Sequence, residues 1–483
     1  MTLTTYQRVP RRKSLLGRSL ASTRERGFVS NLADVLAWII GLTTTATVRF
    51  VGDLPVSEII LIALLPIFLA AHGRRVLRSQ LKTVFLMLGL WLFGQVVSDL
   101  YRQTATQDWI RGDATIIFFG LDILGTAILL SKNERRKIIF LVGMSIGSML
   151  FTFIHPSDFA LDQPWKFGYA SGVITLTLLI SCFFYARRNY MIAGLLILGI
   201  AAVNLLENYR NPVGQLLMIL ALVFPIIPEQ FGRLRILPRS HDVARVAVLF
   251  GLTVGTVWVA ARLVEFVTSA GLVSEEAKQK NEMQGRGGSL LLGGRPEIQV
   301  SLQAVKDSPI VGYGSWAQDP KYVEMLFDMQ LEQGLIDRED MLEYESDLIP
   351  THSHLMGAWV WAGILGGVFW FYILWLALRC IIRIAISRPP LAPVYMAMAI
   401  GLVWGILFSP FGLSVRVGDA LVLVIVIDLL ESSPSSRKAA TSLRRAIGLG
   451  RHGFGQPQFL RLNAPTIIPK PKFPVRRINR FSR

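Results

Sequence analysis

The chain contains little cysteine and little charge for its length. Two cysteines, Cys182 and Cys380, occur among 483 residues, so neither a disulfide framework nor a cysteine-based metal site is expected. Charged residues make up 17% of the sequence, whereas a soluble domain is about a quarter charged. Acidic residues are scarcer than basic ones, 33 against 50, which gives a formal net charge of +17. This composition argues against a soluble globular protein.

Long apolar runs take the place of the missing charge. Hydrophobic residues make up 52% of the chain, and runs long enough to cross a bilayer recur along it. We place about twelve, at 32–48, 55–71, 83–100, 113–131, 138–154, 168–186, 190–206, 212–228, 243–267, 354–384, 393–409 and 418–430. The expected fold is therefore an all-α integral membrane protein of about 12 transmembrane helices, with one long loop before the last three.

The basic residues are concentrated on one side of these runs. The two termini and alternate connections hold 36 of the 50 lysines and arginines. Because such an excess marks the cytoplasmic face, we expect both termini in the cytoplasm and the loop 270–351 on the outer face. The excess of basic residues is then explained by the orientation of the helices in the membrane and by attraction to anionic membrane lipids. It does not require a nucleic acid partner.

Composition divides the chain into three parts. Residues 1–30 form a basic cytoplasmic tail, residues 31–431 form the polytopic membrane domain with its loop 270–351, and residues 432–483 form a second basic tail that we expect to be disordered. Within the loop, helical spacing of apolar residues predicts short helices over 296–306 and 322–335.

Three of the six histidines are expected on the outer side, namely His155, His352 and His354. We interpret His155 as a cation at a helix C-terminus. His352 and His354 stand where the long loop re-enters the membrane. A neutral imidazole there suits a general base, while an interfacial pair without chemistry fits the residues equally well.

Arginine is the other candidate for chemistry on the outer side. The outer arginines include Arg49, Arg210, Arg262, Arg295 and Arg416. Arg262 precedes Glu265 by three residues and is interpreted as a local ion pair. Arg210 and Arg295 lie beside proline or glycine turns, and a planar guanidinium fits phosphate oxygens bidentately. These two are the candidates for binding a phosphate group, with Arg49 and Arg416 as supporting candidates.

One segment of the loop resembles a known family signature. GGRPEIQVSLQAVKDSPIVGYGS is similar to the loop of the O-antigen ligase and polymerase family, in which Gly-Arg precedes a helix and Pro-x-x-Gly-x-Gly follows. The matching residues are Gly294, Arg295, Pro309, Gly312 and Gly314.

A second segment, HSHLMGAWVWAGILGG, resembles the histidine of that family with its spaced Gly-x-x-Gly. His352, Gly363 and Gly366 give the family spacing, whereas His354 is two residues too close. Arg210 stands where the family often has Ser-Arg at an outer helix end, and the preceding Tyr209 departs from that pattern.

The resemblance implies a metal-independent, inverting glycosyltransferase of the membrane GT-C type, without a cofactor, in the bacterial inner membrane. Its donor is a glycan on undecaprenyl diphosphate, and its acceptor is a sugar hydroxyl on another glycan or on lipid A–core. By the same resemblance, His352 deprotonates the acceptor on the periplasmic face. Arg210 and Arg295 hold the diphosphate, with Arg49, Arg416 and His354 as supporting candidates. Ligase and polymerase remain open alternatives.

Two other classes of function compete with this interpretation. Glu58 and Asp122 are acids inside apolar runs, which favours either buried hydrogen-bonded acids or the proton relay of a transporter or flippase for lipid-linked sugars. A transporter places its site near the bilayer midplane, often in repeated halves, whereas the informative residues here lie in one unrepeated loop. A structural membrane subunit leaves the loop histidines and arginines without a role.

Overall fold

A computed structural model describes residues 31–49, 53–76, 80–224, short pieces between 251 and 271, residues 295–334, residue 336 and residues 346–432. The expected tail at 1–30, all but the first residue of the expected tail at 432–483, and most of the predicted run 243–267 lie outside the described residues. The expected domain boundaries therefore stay predictions.

Helices carry nearly all of the regular structure in this described part of the chain. They are α1 (Asn31–Leu42), α2 (Val56–Val76), α3 (Leu81–Arg102), α4 (Thr106–Leu130), α5 (Glu134–Ile154), α6 (Asp158–Asp162), a π-helical turn (Trp165–Tyr169), α7 (Ala170–Ala186), α8 (Tyr190–Leu206), α9 (Arg210–Val223), α10 (Pro296–Asp307), α11 (Pro320–Glu332), α12 (His354–Ser387), α13 (Ala392–Phe408) and α14 (Leu413–Glu431). Apart from 243–267, each apolar run predicted from the sequence overlaps one of these helices.

Five of the described helical stretches are long and apolar enough to cross a membrane. They are Leu81–Arg102, Thr106–Leu130, Glu134–Ile154, Trp165–Ala186 and His354–Ser387. The other apolar helices, such as α8, α9 and α13, are shorter. The fold is thus mostly helical and suited to a membrane, while the expected number of about 12 spans stays a prediction.

The first helix ends earlier than its apolar run predicted. The hydroxyl of Thr43 donates to the Ile39 carbonyl (2.9 Å), and the hydroxyl of Thr44 donates to the Gly41 carbonyl (2.9 Å). Threonine hydroxyls that bond to the backbone in this way favour a helix end over continuation. The chain then forms a short antiparallel hairpin from β1 (Thr47–Arg49) and β2 (Asp53–Pro55).

Ion pairs join the helix ends at one end of the bundle. The ammonium of Lys137, at the start of α5, lies 2.7 Å from the carboxylate of Asp428 near the end of α14. Arg136 lies 3.1 Å from Asp34 near the start of α1. We call this the basic end of the bundle. The opposite end, which carries residues 295–334 and 346–353, is called the loop end.

The orientation of α9 and α13 follows from contacts near the basic end. The hydroxyl of Tyr185, at the end of α7, donates to the carbonyl of Val223 at the end of α9 (3.3 Å). Cys182, one turn earlier on α7, contacts the backbone of Val394 at the start of α13. The start of α9 and the end of α13 therefore lie together at the loop end.

The helix α12 reverses direction at Gly363. That residue has φ 62° and ψ −156°, a conformation that suits glycine. Trp370 follows His354 by sixteen residues, which would separate them by about 24 Å along a straight helix. Their ring centroids are instead 4.9 Å apart. Residues 354–362 and 364–387 therefore pack against each other as two antiparallel arms, where the sequence predicted one continuous helix.

The loop residues build a small apolar core of their own beside this reversal. Helix α10 begins with Pro296 and α11 with Pro320, at the helical position that proline favours. The two helices, the segments beside them and the first arm of α12 share one buried cluster: Val300, Ala304, Val305, Ala317, Tyr322, Leu326, Ile349 and Val360. Both helices predicted in the loop are present, although α11 ends at Glu332 rather than at residue 335.

The Pro-x-x-Gly-x-Gly segment runs along the reversal of α12. The amide of Tyr313 donates to the Val360 carbonyl (2.7 Å), and the amide of Ile364 donates to the Ile310 carbonyl (3.2 Å). Gly312 has φ 83°, and a side chain there would lie 2.6 Å from the backbone nitrogen of Gly363. The motif glycines thus allow two backbone segments to approach closely.

The end of α3 fixes the same loop segment from the other side. The amide of Ser315 donates to Asp99 (2.6 Å), and its buried hydroxyl donates to the second carboxylate oxygen (2.7 Å). The guanidinium of Arg102 donates to the Gly312 carbonyl (2.9 Å) and to the Ser308 hydroxyl (2.8 Å). Five hydrogen-bonding residues of α3 and the loop therefore hold the loop in one position on the bundle.

Candidate functional site

His352 lines a pocket at the loop end of the bundle. The pocket has a volume of about 390 Å³ and is lined by Glu297, Leu326, Phe327, Gln330, Ile336, Pro350, Thr351 and His352. Its walls come from the first turn of α10, from one face of α11 and from the extended segment before α12. Four of the eight lining residues are apolar, and the other four carry polar groups.

The environment of His352 favours the neutral form of its imidazole. Partial burial lowers the pKa below the ordinary value of 6.5, because desolvation disfavours the charged ring. The carboxylate of Glu297 opposes this effect, and the positive charge of Arg295 adds to it. Among the described residues, none hydrogen-bonds to the His352 ring. The ring is exposed, and within the described part of the chain its nitrogens have no hydrogen-bond partner.

His354 occupies the opposite kind of environment. The residue is 1% exposed, and its ring packs against Trp370 and Phe411, with ring centroids 4.9 and 5.3 Å away. Nδ1 lies 2.7 Å from the carbonyl oxygen of Ser409, and Nε2 lies 3.1 Å from a carboxylate oxygen of Asp419. A carbonyl only accepts, so Nδ1 carries the proton. Both ring nitrogens are engaged, and the residue ties the first arm of α12 to α13 and α14.

Arg295 is fixed between the loop and the end of α13. It immediately precedes α10, and its guanidinium donates to the Phe408 carbonyl (2.9 Å). The guanidinium carbon also lies 4.8 Å from the ring centroid of Trp404 and 4.9 Å from that of Phe408. Such stacking holds the planar group in place and leaves further N–H donors for an anion.

Arg210 lies at the same end of the bundle. It is the first residue of α9, and its Nε donates to the side chain of Asn208 (3.1 Å). Helix α9 packs against α13, and the end of α13 holds Arg295. The two arginines proposed from the sequence for phosphate binding are thus anchored at the starts of helices at one end of the molecule.

The remaining supporting arginines are engaged elsewhere. Arg49 lies on the β-hairpin, 94% exposed, with Asp53 at 3.4 Å. Arg416 makes two hydrogen bonds of 2.9 and 2.8 Å with the carboxylate of Glu58, and both residues are buried. Asp122 is buried close enough to the same carboxylate to interact with it electrostatically. The two acids singled out in the sequence therefore share one buried site with Arg416.

Two local interpretations of the sequence are confirmed by the geometry. Arg262 lies 2.6 Å from Glu265, which is the expected pair three residues apart. His155 follows the last residue of α5 directly, at the C-terminal position where a cation is favourable. Neither residue needs a role in the pocket.

Sequence reasoning did not single out Glu297 or Asp419. Glu297 follows Arg295 by two residues in the first turn of α10, where an acid is usually explained by the helix dipole. Asp419 lies in the apolar helix α14, six residues after its first residue, Leu413. His352, which lines the same pocket as Glu297, and His354, which contacts Asp419, both lie far from these acids in the sequence. No spacing rule therefore reveals either proximity.

Comparison of the chain with protein-family models, with curated protein sequences and with solved structures gives no match. The resemblance described above therefore rests on its motif residues in 294–314 and 352–366. The geometry adds an exposed histidine and a carboxylate that line one pocket, with Arg295 two residues before that carboxylate in the chain.

Proposed function

We propose that the protein is a membrane glycosyltransferase of the O-antigen ligase or polymerase type. It transfers or polymerises a glycan from an undecaprenyl-diphosphate-linked donor onto a sugar hydroxyl in surface polysaccharide biosynthesis. The observation that carries the proposal is the difference between two neighbouring histidines. His352 is an accessible base in a pocket, whereas both nitrogens of His354 are engaged inside the bundle.

The chemistry of the proposal assigns one role to each group. The His352 lone pair takes the proton of the acceptor hydroxyl while the hydroxyl oxygen attacks the anomeric carbon of the donor. The bond from that carbon to the diphosphate oxygen breaks on the opposite face, which inverts the configuration. Negative charge then grows on the diphosphate, where Arg295 and Arg210 stabilise it more strongly than in the ground state.

The placement in the cell belongs to the same proposal. About 12 helices would cross the bacterial inner membrane, with both termini in the cytoplasm and the pocket on the periplasmic face. Support comes from the ion pairs of the basic end, which hold Arg136 and Lys137 in the first turn of α5, at the end of the bundle opposite the loop end. An excess of such residues marks the cytoplasmic side.

A turnover assay in nanodiscs tests the proposal. Purified protein would receive a lipid-diphosphate-linked glycan and a sugar acceptor, and product would be separated by chromatography. We expect His352→Ala to lose about 10²–10⁴-fold in rate, the usual contribution of a general base, while donor binding persists. His155→Ala, which alters another outer histidine, is the matched control. Normal turnover by His352→Ala would reject the assigned base.

A transporter of lipid-linked sugars is the second candidate function, because Glu58, Asp122 and Arg416 meet in the bundle interior. Intramembrane ionisable groups often mark ion or proton pathways. Proteoliposomes loaded with a fluorescent lipid-linked sugar separate the two functions. Movement across the bilayer without new glycosidic bonds, abolished by Glu58→Gln, would favour the transporter.

A further inference from the structure

Three ionisable residues meet in the interior of the bundle, each from a different helix. The guanidinium of Arg416, near the start of α14, donates to both carboxylate oxygens of Glu58, in the first turn of α2, over 2.9 and 2.8 Å. Asp122 lies on α4, which packs against both of these helices. Glu58 is 0% exposed, Asp122 1% and Arg416 5%. The chemistry proposed for glycan transfer uses none of the three.

Contacts of α4 place Asp122 beside this ion pair. The guanidinium carbon of Arg416 lies 5.6 Å from the ring centroid of Phe118, one turn before Asp122. A side chain at Gly125, about one turn after Asp122, would lie 2.8 Å from Leu61, on the turn of α2 that follows the paired glutamate. The carboxyl group of Asp122 is therefore level with the ion pair, and it interacts electrostatically with both partners.

The hydrogen bonds of the site leave Asp122 without a cation of its own. Both carboxylate oxygens of Glu58 accept an N–H of Arg416, so this pair is complete and close to neutral. The Oδ2 atom of Asp122 is buried and has no hydrogen-bond partner among the described residues. If Asp122 were ionised, two negative charges would face one positive charge in the interior. A buried charge in that position is costly enough that the group takes its neutral form instead.

The other charged groups on the helices around Asp122 are engaged elsewhere. Asp419, on the next turn of α14, lies 3.1 Å from the ring of His354. Asp99 of α3 accepts hydrogen bonds from the loop, and Asp113, nine residues before Asp122 on α4, accepts one from an indole N–H (2.6 Å). The charges of α5 and of the end of α14 are paired at the basic end. Within the part of the chain that the structure describes, the site therefore holds one cation and two acids.

We propose that this buried site binds one proton, which Asp122 carries, while Glu58 stays ionised beside Arg416. The ligand of the site is thus a proton, held as the O–H of a neutral carboxylic acid. Its release would leave an unbalanced negative charge where α2, α4 and α14 pack together, so release requires these helices to separate enough to admit water. Protonation of Asp122 is thereby coupled to the packing of three helices. The inference goes beyond glycan transfer and does not depend on it.

Infrared spectroscopy tests the site, because a protonated carboxyl group absorbs at a higher frequency than a carboxylate. Full-length protein would be measured at neutral pH in a maltoside detergent, which contains no carbonyl group. We expect a band of protonated carboxyl that shifts to lower frequency when the aspartate side-chain carboxyls carry carbon-13. Asp122→Asn should lose the intensity of one carboxyl. Glu58→Gln should lose it too, because Arg416 then balances Asp122 alone and Asp122 ionises.

The matched control is Asp53→Asn, which removes an aspartate of β2 whose side chain is 50% exposed and should leave the band unchanged. Circular dichroism would show that each variant is folded. A wild-type protein without the band, or with a band that the labelled aspartate does not shift, overturns the proposal without any variant. A band of full intensity in folded Asp122→Asn places the proton on another group, and one of full intensity in folded Glu58→Gln refutes the charge balance; either result overturns the proposal.

Discussion

Replacing His354 by alanine should damage the fold rather than the chemistry. The change removes the N–H that donates to the Ser409 carbonyl and leaves the Asp419 carboxylate without its imidazole partner. It also removes ring contacts with Trp370 and Phe411. A lost hydrogen bond costs about 1 kcal/mol, and a buried group left unpaired costs about 1–3 kcal/mol. An aromatic pair adds about 0.5–1.5 kcal/mol. The free energy of unfolding should fall by about 3–5 kcal/mol.

Replacing His352 by alanine should instead lower the rate of transfer and leave the free energy of unfolding nearly unchanged. Its ring is exposed and carries no hydrogen bond from the described residues, so His352→Ala should alter the free energy of unfolding by less than about 0.5 kcal/mol. The two variants therefore separate stability from rate at two positions only two residues apart.

Equilibrium unfolding in mixed detergent micelles, followed by tryptophan fluorescence, measures the stability of both variants. Turnover would be normalised to the folded fraction. We expect folded His354→Ala to keep most of its activity and folded His352→Ala to keep almost none. The reasoning is refuted if His354→Ala unfolds like the wild type and is inactive while His352→Ala remains active. In that case the base would be His354.

Three further predictions concern the loop, the arginines and the topology. Gly312→Ala should lower the free energy of unfolding by about 2–4 kcal/mol, since it combines a positive φ with a backbone clash; unchanged unfolding in micelles would contradict this. Arg295→Lys should lose most turnover and Arg210→Lys somewhat less, because an ammonium cannot reproduce a planar fork; wild-type turnover of both would make them membrane anchors. In intact spheroplasts an impermeant thiol reagent should label Asp328→Cys, in the loop, but not Ser387→Cys, at the basic end; the reverse pattern would invert the orientation.

Local sequence pattern was enough to predict much of the secondary structure. Apolar runs gave the approximate positions of the membrane-type helices, because a helix that faces lipid must be apolar along its whole length. Spacing inside the loop predicted a helix over 296–306, and the structure has Pro296–Asp307. Each of these features depends on residues within a few turns of one another, so a single window of sequence contains the information.

The candidate site depended on contacts that no window of sequence contains. The sequence placed His352 and His354 side by side and left their roles open. The reversal at Gly363 and the packing of α13 and α14 bury one ring among Trp370 and Phe411 and leave the other in a pocket. The assignment of His352 as a base remains a prediction, while its accessibility is a property of the fold.

The same reason explains the buried charges. Glu58 and Arg416 are 358 positions apart and form two hydrogen bonds, yet neither residue shows its partner in the sequence. By itself the sequence determined that the chain is apolar, helical and asymmetric in charge, because these are properties of composition and local period. Tertiary structure decided which ionisable groups are neutralised inside the bundle and which face a pocket, because burial and pairing depend on helices brought together from distant parts of the chain.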